Sequence, residues 1–383
     1  MARRGHADGG RADVWDEAEV PGADLALAAE NGLTAASGWL LRGRDGRLTA
    51  YAGCPEGLVR WTEPVPGADV WDGPVLFPVD GGWTGRFTLT QDFHGFVTFA
   101  GTRLREDGRR EYVVASQYQT GRPLSSWRAI GYPFRMPTEP APPEDPVVFC
   151  DGAGILHVVA ARFGAGARQR TRRADGNWTA WTSYQGNWSR GSVVPMVASD
   201  GRAEMLVPFK GGAVHWGQPE PGGALRWRGK LEGEAVEGTY SGCETGPGSI
   251  TYYWRHPADG SVVAHRPLPA SAGRANPLLP LGGAGGVGPA AVTRTRINGY
   301  DCTVLLQRGA DGCPEVAAYP TEGEQYGAWW APVGERCAGL PAMTLDHLGA
   351  VTIAMLDTEG GLLIARQDLA DPGLSFHPWR RAG

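Results

Sequence analysis

The sequence predicts an all-β protein: one seven-bladed β-propeller of four-stranded antiparallel blades. Three observations carry that prediction. A unit of apolar strand, Asp-Gly turn, strand, Gly turn, strand, loop and Trp recurs along the chain. Glycine (58), proline (30) and tryptophan (15) are abundant in 383 residues. The units show period-2 strand character and no amphipathic helix pattern. Glycine and proline set turns, and tryptophan fills the layers between packed sheets.

The clearest copy is SDGRAEMLVPFKGGAVHWGQPEPGGALRW at 199–227. Further copies begin at DGRLTAYAG (45–53), SITYYWRH (249–256), GYDCTVLLQR (299–308) and DHLGAVTIAML (346–356). Two looser ones occupy 94–116 and 151–173. The closing tryptophans are Trp15, Trp71, Trp127, Trp181, Trp227, Trp330 and Trp379, spaced by 56, 56, 54, 46, 103 and 49 residues. The long gap holds two units, the first ending near PLLP (277–280), so the mean period is 52. A fixed period of this size in strand-forming units selects a propeller. Each closing tryptophan is expected to pack between blades. The phrase ADVWD occurs at 12–16 and again at 68–72. Residues 12–20 are therefore expected to form an outer strand that closes the ring against the last blade, after a disordered 1–11. The whole chain, 1–383, reads as a single domain.

Charge and motifs exclude several classes. The net charge is −5 and the pI about 5.9, so no basic face for nucleic acid is expected. Arg168, Arg170 and Arg172 alternate and share one strand face, read as a solvated edge. No run of 18 apolar residues exists, so no membrane helix is predicted. The N-terminus lacks an apolar signal core, and a cytoplasmic protein with reduced thiols is expected. The cysteines (Cys54, Cys150, Cys243, Cys302, Cys313, Cys337) form no CxxC pair, so no metal site is expected. Cys302 and Cys313 could face each other across a hairpin. The string GAGGVG (283–288) resembles a dinucleotide loop by letter only. Pro289 and a strand-like run follow it, so it is read as a blade-to-blade loop, and no cofactor is predicted. The sequons at Asn177 and Asn187 read as turns. His215, His265 and Arg60 occupy one repeat position, which favours packing. His94 and His347 lie in matching turns.

The repeat, best carried by DGRAEMLVPFKGGAVHW (200–216) and ITYYWRHPADGSVVAHRP (250–267), resembles that of bacterial seven-bladed, Trp-rich propeller lectins that bind fucose. It is more distantly similar to tectonin repeats. The resemblance covers nearly the whole chain as a loose repeat. It implies several equivalent sugar sites between blades, lined by tryptophan. Here the copies differ in length and content: the fifth lacks the tryptophan, and the second and third lack the clean turn.

Three long loops are expected to cluster on one face: 64–86, 101–110 and 131–145. They supply candidate ligand-binding residues Asp80, Trp83, Arg86, Arg105, Tyr132 and Arg135, with Glu139 beside them. Asp92 and Glu237 join them from near the channel. Candidate catalytic residues are Glu244, Arg294, Arg296 and Tyr240. Arg294 and Arg296 share a face that needs an anionic partner, and Glu244 of the neighbouring blade is the expected one. The same pairing could instead be a salt bridge that only ties blades together.

The first functional reading is an enzyme of specialised metabolism that cyclises or joins a small organic substrate. A carboxylate or Tyr would move a proton and Arg would stabilise developing negative charge. The alternative is a carbohydrate-binding lectin, and the third reading is a protein-interaction scaffold. The expected partner is a small organic molecule or a sugar, with neither nucleic acid nor membrane.

Overall fold

The computed structural model describes residues 18–19, 38–134, 145–173, 175–184, 189–267 and 277–382. Seven antiparallel sheets follow one another along the chain, six of four strands and one of five. Blade one runs from inner to outer strand as Leu40–Arg42, Leu48–Cys54, Gly57–Thr62 and Asp72–Pro78. The inner strand of blade seven, Ala342–Leu345, packs beside that of blade one and completes the ring.

Burial explains the strand sequences. The second strand of a blade is covered on both faces by neighbouring blades, so it reads as a near-continuous apolar run. Leu48–Cys54 and Val351–Leu356 are buried at every residue. Each such Val, Leu, Ile or Phe contributes about 1.5–3 kcal/mol when fully buried. The outer strand Arg226–Glu232 buries only Leu231, while Arg226, Arg228, Lys230 and Glu232 face solvent together with Trp227. Some polar side chains inside the blades meet cross-strand partners. Thr98 meets Ser116 at 3.0 Å, and His215 meets Glu204 at 2.9 Å. His265 and Arg60 are buried, as packing at the shared repeat position requires.

Strand direction alternates, so each blade has two kinds of connection at each end. Turns from inner to second strand and loops from third to outer strand lie at one end, the turn face. Second-to-third turns and blade-to-blade connections lie at the other. At the turn face a five-residue turn repeats, with the first N–H bonded to the fifth carbonyl and the fourth N–H to the first carbonyl. The copies are Gly43–Arg47, Asp92–Phe96, Asp151–Ile155, Ala198–Arg202 and Asp346–Ala350. The fourth residue is glycine each time, with φ between +75° and +83°, a region only glycine enters freely. Thus His94 and His347 do occupy matching turns.

Several expectations are corrected. Among the described residues every blade is built from one contiguous stretch, with no strand exchanged across the closure. Ala18–Glu19 pairs with Leu76 and Val75 at the edge of blade one, not with blade seven; residues 1–17, Trp15 among them, lie outside the described residues. Closure comes from side chains. Trp39 Nε1 donates to the Leu340 carbonyl at 3.0 Å, and Arg366 to Glu63 and, at 2.9 Å, to the Ala68 carbonyl. The closing tryptophans of blades six and seven pack on the preceding blade as expected: Trp330 Nε1 reaches Leu281 O at 2.8 Å and Trp379 Nε1 reaches Val333 O at 3.1 Å. Trp71 is 3% exposed, but Trp227 is 60% exposed. Trp227 instead lines the flank between blades three and four beside Tyr184 and Trp216.

Residues 64–86 are not one loop, since they contain the outer strand of blade one and the start of Trp83–Gln91 in blade two. All six cysteines are free thiols. Cys302 and Cys313 lie at opposite ends of their hairpin, because Cys302 opposes Pro320 while Pro314 opposes Arg308. Arg170 is no solvated edge: it is half-buried and donates to Thr179 O at 2.7 Å and to Ile130 O of blade two.

Candidate functional site

The predicted site residues do not converge. Arg105, Asp80, Arg86 and Glu237 sit at the connection face, all exposed. Arg86 pairs with Asp145 at 2.7 Å, and Arg105 approaches Asp107 at 3.8 Å. Trp83 is buried against Trp127 at a ring separation of 5.2 Å, and Tyr132 packs on Tyr112 at 5.1 Å. Tyr240 is buried against Trp254 at 5.2 Å, and burial pushes its hydroxyl pKa well up. Arg135 and Glu139 lie outside the described residues.

Asp92, Glu244, Arg294 and Arg296 are at the opposite, turn-face end. Asp92 and Glu244 share a cavity of about 440 Å³ at the channel mouth with Ser199, Met196 and Cys150. Glu244 does not meet Arg294. Its oxygens accept from the Ser199 N–H at 2.7 Å, the Ser199 hydroxyl at 2.8 Å and the Gly248 N–H at 2.6 Å. It is a latch between blades four and five. Arg294 is held by Asp301 on the adjacent strand of its own blade, with Nε donating at 2.8 Å, and that bond raises its pKa further. Arg296 is exposed and opposes the same Asp301 in register. The nearer carboxylate, seven residues away on the same hairpin, displaces the expected inter-blade partner.

The turn face holds a cleft that the sequence reading did not assemble. It lies between blades one and two and encloses about 450 Å³. Its lining includes Arg44, Asp45 and Arg47 from the turn of blade one, and His94 and Phe96 from the turn of blade two. Tyr118, Thr120 and Arg122 come from the third-to-outer loop of blade two. Pockets of roughly 300–1,000 Å³ are the size that holds small ligands.

The local architecture is built from blade one outward. Arg47 Nε donates to Asp45 at 2.8 Å, and its Nη2 donates to Thr120 O at 2.9 Å. Burial raises the pKa of Asp45, but the Arg47 side-chain and backbone donors outweigh it and hold the carboxyl below its usual value. Arg60, buried over the Phe77 ring at 4.8 Å, donates to Arg122 O at 2.6 Å and Gly121 O at 3.3 Å. Gln117 Nε2 adds a third donor, to Arg122 O at 2.6 Å. The carbonyls of 120–122 are therefore drawn into blade one, and the Arg122 side chain is left at the surface. Gly95 makes room for Arg44: a Cβ there would lie 2.6 Å from Arg44 Cγ. Phe96 and Tyr118 meet edge to face at 5.3 Å, and Tyr118 is 53% exposed.

A second groove, of about 440 Å³, lies on the flank between blades three and four. Tyr184, Phe209, Trp216, Trp227 and Lys230 line it. Tyr184 meets Trp216 edge to face at 4.8 Å, and its hydroxyl donates to Gln169. This groove is mainly apolar. The cleft between blades one and two combines aromatic rings with fork-shaped donors and a carboxylate acceptor.

Comparing the units turn by turn singles out Arg44, though not the residues it meets across the blade boundary. The second turn residue is Arg44, Phe93, Gly152, Ser199 or His347, and the arginine is the one long flexible cation. His94 was singled out in sequence, but as a turn residue.

No protein-family model and no curated protein matches the chain. Solved structures do resemble it. A protein from Lactobacillus plantarum shares 13% identity at a TM-score of 0.54, covering 88% of this chain and 96% of that one. AofleA from Arthrobotrys oligospora shares 9% at 0.50, covering 92% and 95%. The Aleuria aurantia lectin, in complex with Fucα1-6GlcNAc, shares 11% at 0.46, covering 79% and 98%. At these identities the likeness is one of fold, and the fold of this chain is a seven-bladed all-β propeller.

Proposed function

We propose that the protein is a carbohydrate-binding propeller with one principal sugar site, the turn-face cleft between blades one and two. One observation carries this reading: the exposed Phe96–Tyr118 corner shares a single cleft with Arg44, Asp45, Arg47 and Arg122. A sugar presents an apolar C–H face and a polar hydroxyl edge. The ring corner accommodates the first. The guanidinium donors and the carboxylate acceptor satisfy the second, and hydroxyls left unpaired would cost about 1–3 kcal/mol each. The flank groove between blades three and four offers rings, but too few polar partners for hydroxyls. The tethering of Glu244 and Arg294 to neighbours leaves the acid–base chemistry without a shared substrate position.

The test is a glycan array with the purified full chain, followed by titration calorimetry of each hit. Binding of about one sugar per chain, with Kd in the micromolar to millimolar range expected of small ligands, is the expected result. Tyr118→Ala should weaken it at least tenfold without changing Tm. Several equivalent sites per chain, or binding unaffected by Tyr118→Ala, would overturn this reading.

A further inference from the structure

We infer that the sugar taken by this cleft is an acidic one, carrying a carboxylate or sulfate alongside its hydroxyls. This rests on the carbohydrate reading above and deepens it.

The argument is one of charge and of which groups are already engaged. Three arginines and one aspartate line the cleft. Arg47 is engaged: it bonds Asp45, the Thr120 carbonyl and, at 3.4 Å, the Glu63 carbonyl. Asp45 is neutralised by it. Arg44 and Arg122 are both exposed, and among the described residues no carboxylate lies within ion-pair distance of either. The other acidic groups close by are committed elsewhere. Asp92 accepts the N–H of His94 at 2.9 Å and of Phe96 at 2.8 Å, and buried Glu63 is held by Arg366.

The cleft therefore carries two uncompensated guanidinium groups on a chain whose net charge is −5. Elsewhere on the surface Arg202 has Asp200, Arg294 has Asp301, Arg380 has Asp69 and Arg381 has Asp357 as an acidic neighbour. A cleft lined by one sign of charge concentrates ligands of the other sign. The guanidinium fork matches the two oxygens of a carboxylate or sulfate. The Phe96–Tyr118 corner distinguishes an acidic sugar from a simple anion, because it offers a surface for a ring that acetate lacks.

The experiment titrates the full chain with glucuronate, its neutral methyl ester, glucose, glucose 6-sulfate and acetate, at about 0.05 and 0.5 M salt. Glucuronate or the sulfated sugar should bind roughly tenfold or more tightly than glucose or the ester at low salt. The advantage should shrink at high salt. Arg44→Gln with Arg122→Gln should remove the preference for the charged sugar over glucose and leave Tm unchanged. Equal binding of glucose and glucuronate would overturn the inference while the sugar site stands. Acetate competing as well as glucuronate would also overturn it, since the ring surface would then contribute nothing. A retained preference in the double variant would remove these two arginines from the site. No binding of any sugar at millimolar concentration would instead defeat the carbohydrate reading itself. The two arms, carboxylate and sulfate, identify which anion the site takes.

Discussion

The junction between blades one and two and the junction between blades three and four use the same positions of the repeat and reach opposite results. At the first, the second residue of the five-residue turn is Arg44 and the facing loop carries Arg122. At the second, the matching turn residue is Gly152. The facing loop, aligned on Gln117 with Gln218 and Leu124 with Leu225, carries Gly223. The glycines let the backbones meet. The Gly152 N–H donates to Gly201 O at 2.8 Å, and the buried Asp151 carboxylate accepts from Gln218 at 2.8 Å and from the Gly222 N–H at 3.2 Å. Blades three and four are thus sealed where blades one and two are open. The blade seven–blade one junction is narrowed in a third way, with the His347 ring about 3.0 Å from where a Gly67 side chain would begin. Side-chain size at two turn positions, on an otherwise constant scaffold, decides whether a junction is a contact or a cleft.

The largest expected effect comes from forcing the open junction's residue into the sealed one. In Gly152→Arg, a Cβ would stand 2.5 Å from Gly201 Cα, a backbone atom that cannot step aside. Chemical denaturation should show a loss of about 3 kcal/mol or more. A variant as stable as the parent would break the comparison.

A somewhat smaller effect is expected at the anchor of the open junction. Arg60→Met removes the donors that hold the carbonyls of Gly121 and Arg122. Stability should fall by about 2–3 kcal/mol, the cost of buried acceptors losing a charged partner. Sugar affinity should fall as well, because the loop bearing Arg122 and Tyr118 is released. Lost stability with unchanged affinity would show that Arg60 only packs.

The smallest stability effect belongs to Arg44→Gly, which gives blade one the residue of blade three. Arg44 is exposed and makes no described ion pair, so thermal unfolding should move by less than about 0.5 kcal/mol. Binding of an acidic sugar should nevertheless weaken severalfold. Unchanged binding would place the recognition elsewhere in the cleft.

The architecture was legible because it is repeated. Seven copies of one hydrophobic pattern, each ended by glycine-bearing turns, give the same information seven times, and a local error in one copy does not alter the result. The failures fell where a single side chain chooses among partners. Arg294 was matched to Glu244 across a blade boundary, yet Asp301 is closer along its own hairpin. Trp83 and Tyr240 were read as polar-site residues, yet their rings have more to gain from the core. Trp227 is expected to pack, yet it stands exposed on the flank between blades three and four. The cleft of Arg44, Phe96, Tyr118 and Arg122 joins three segments from two blades, and spacing along the chain carries no sign of that juxtaposition.

The sequence by itself determined the fold class, the number of blades and the glycine-bearing turns of the repeat. Those follow from local conformational preference and a period that is written repeatedly. Only the tertiary structure decided which junction stays open, which arginines keep a carboxylate and which do not, and at which end of the ring each charged residue emerges. Charged side chains are long and their pairing energies small, so their partners are set by distances of a few ångströms that exist only after the blades have packed.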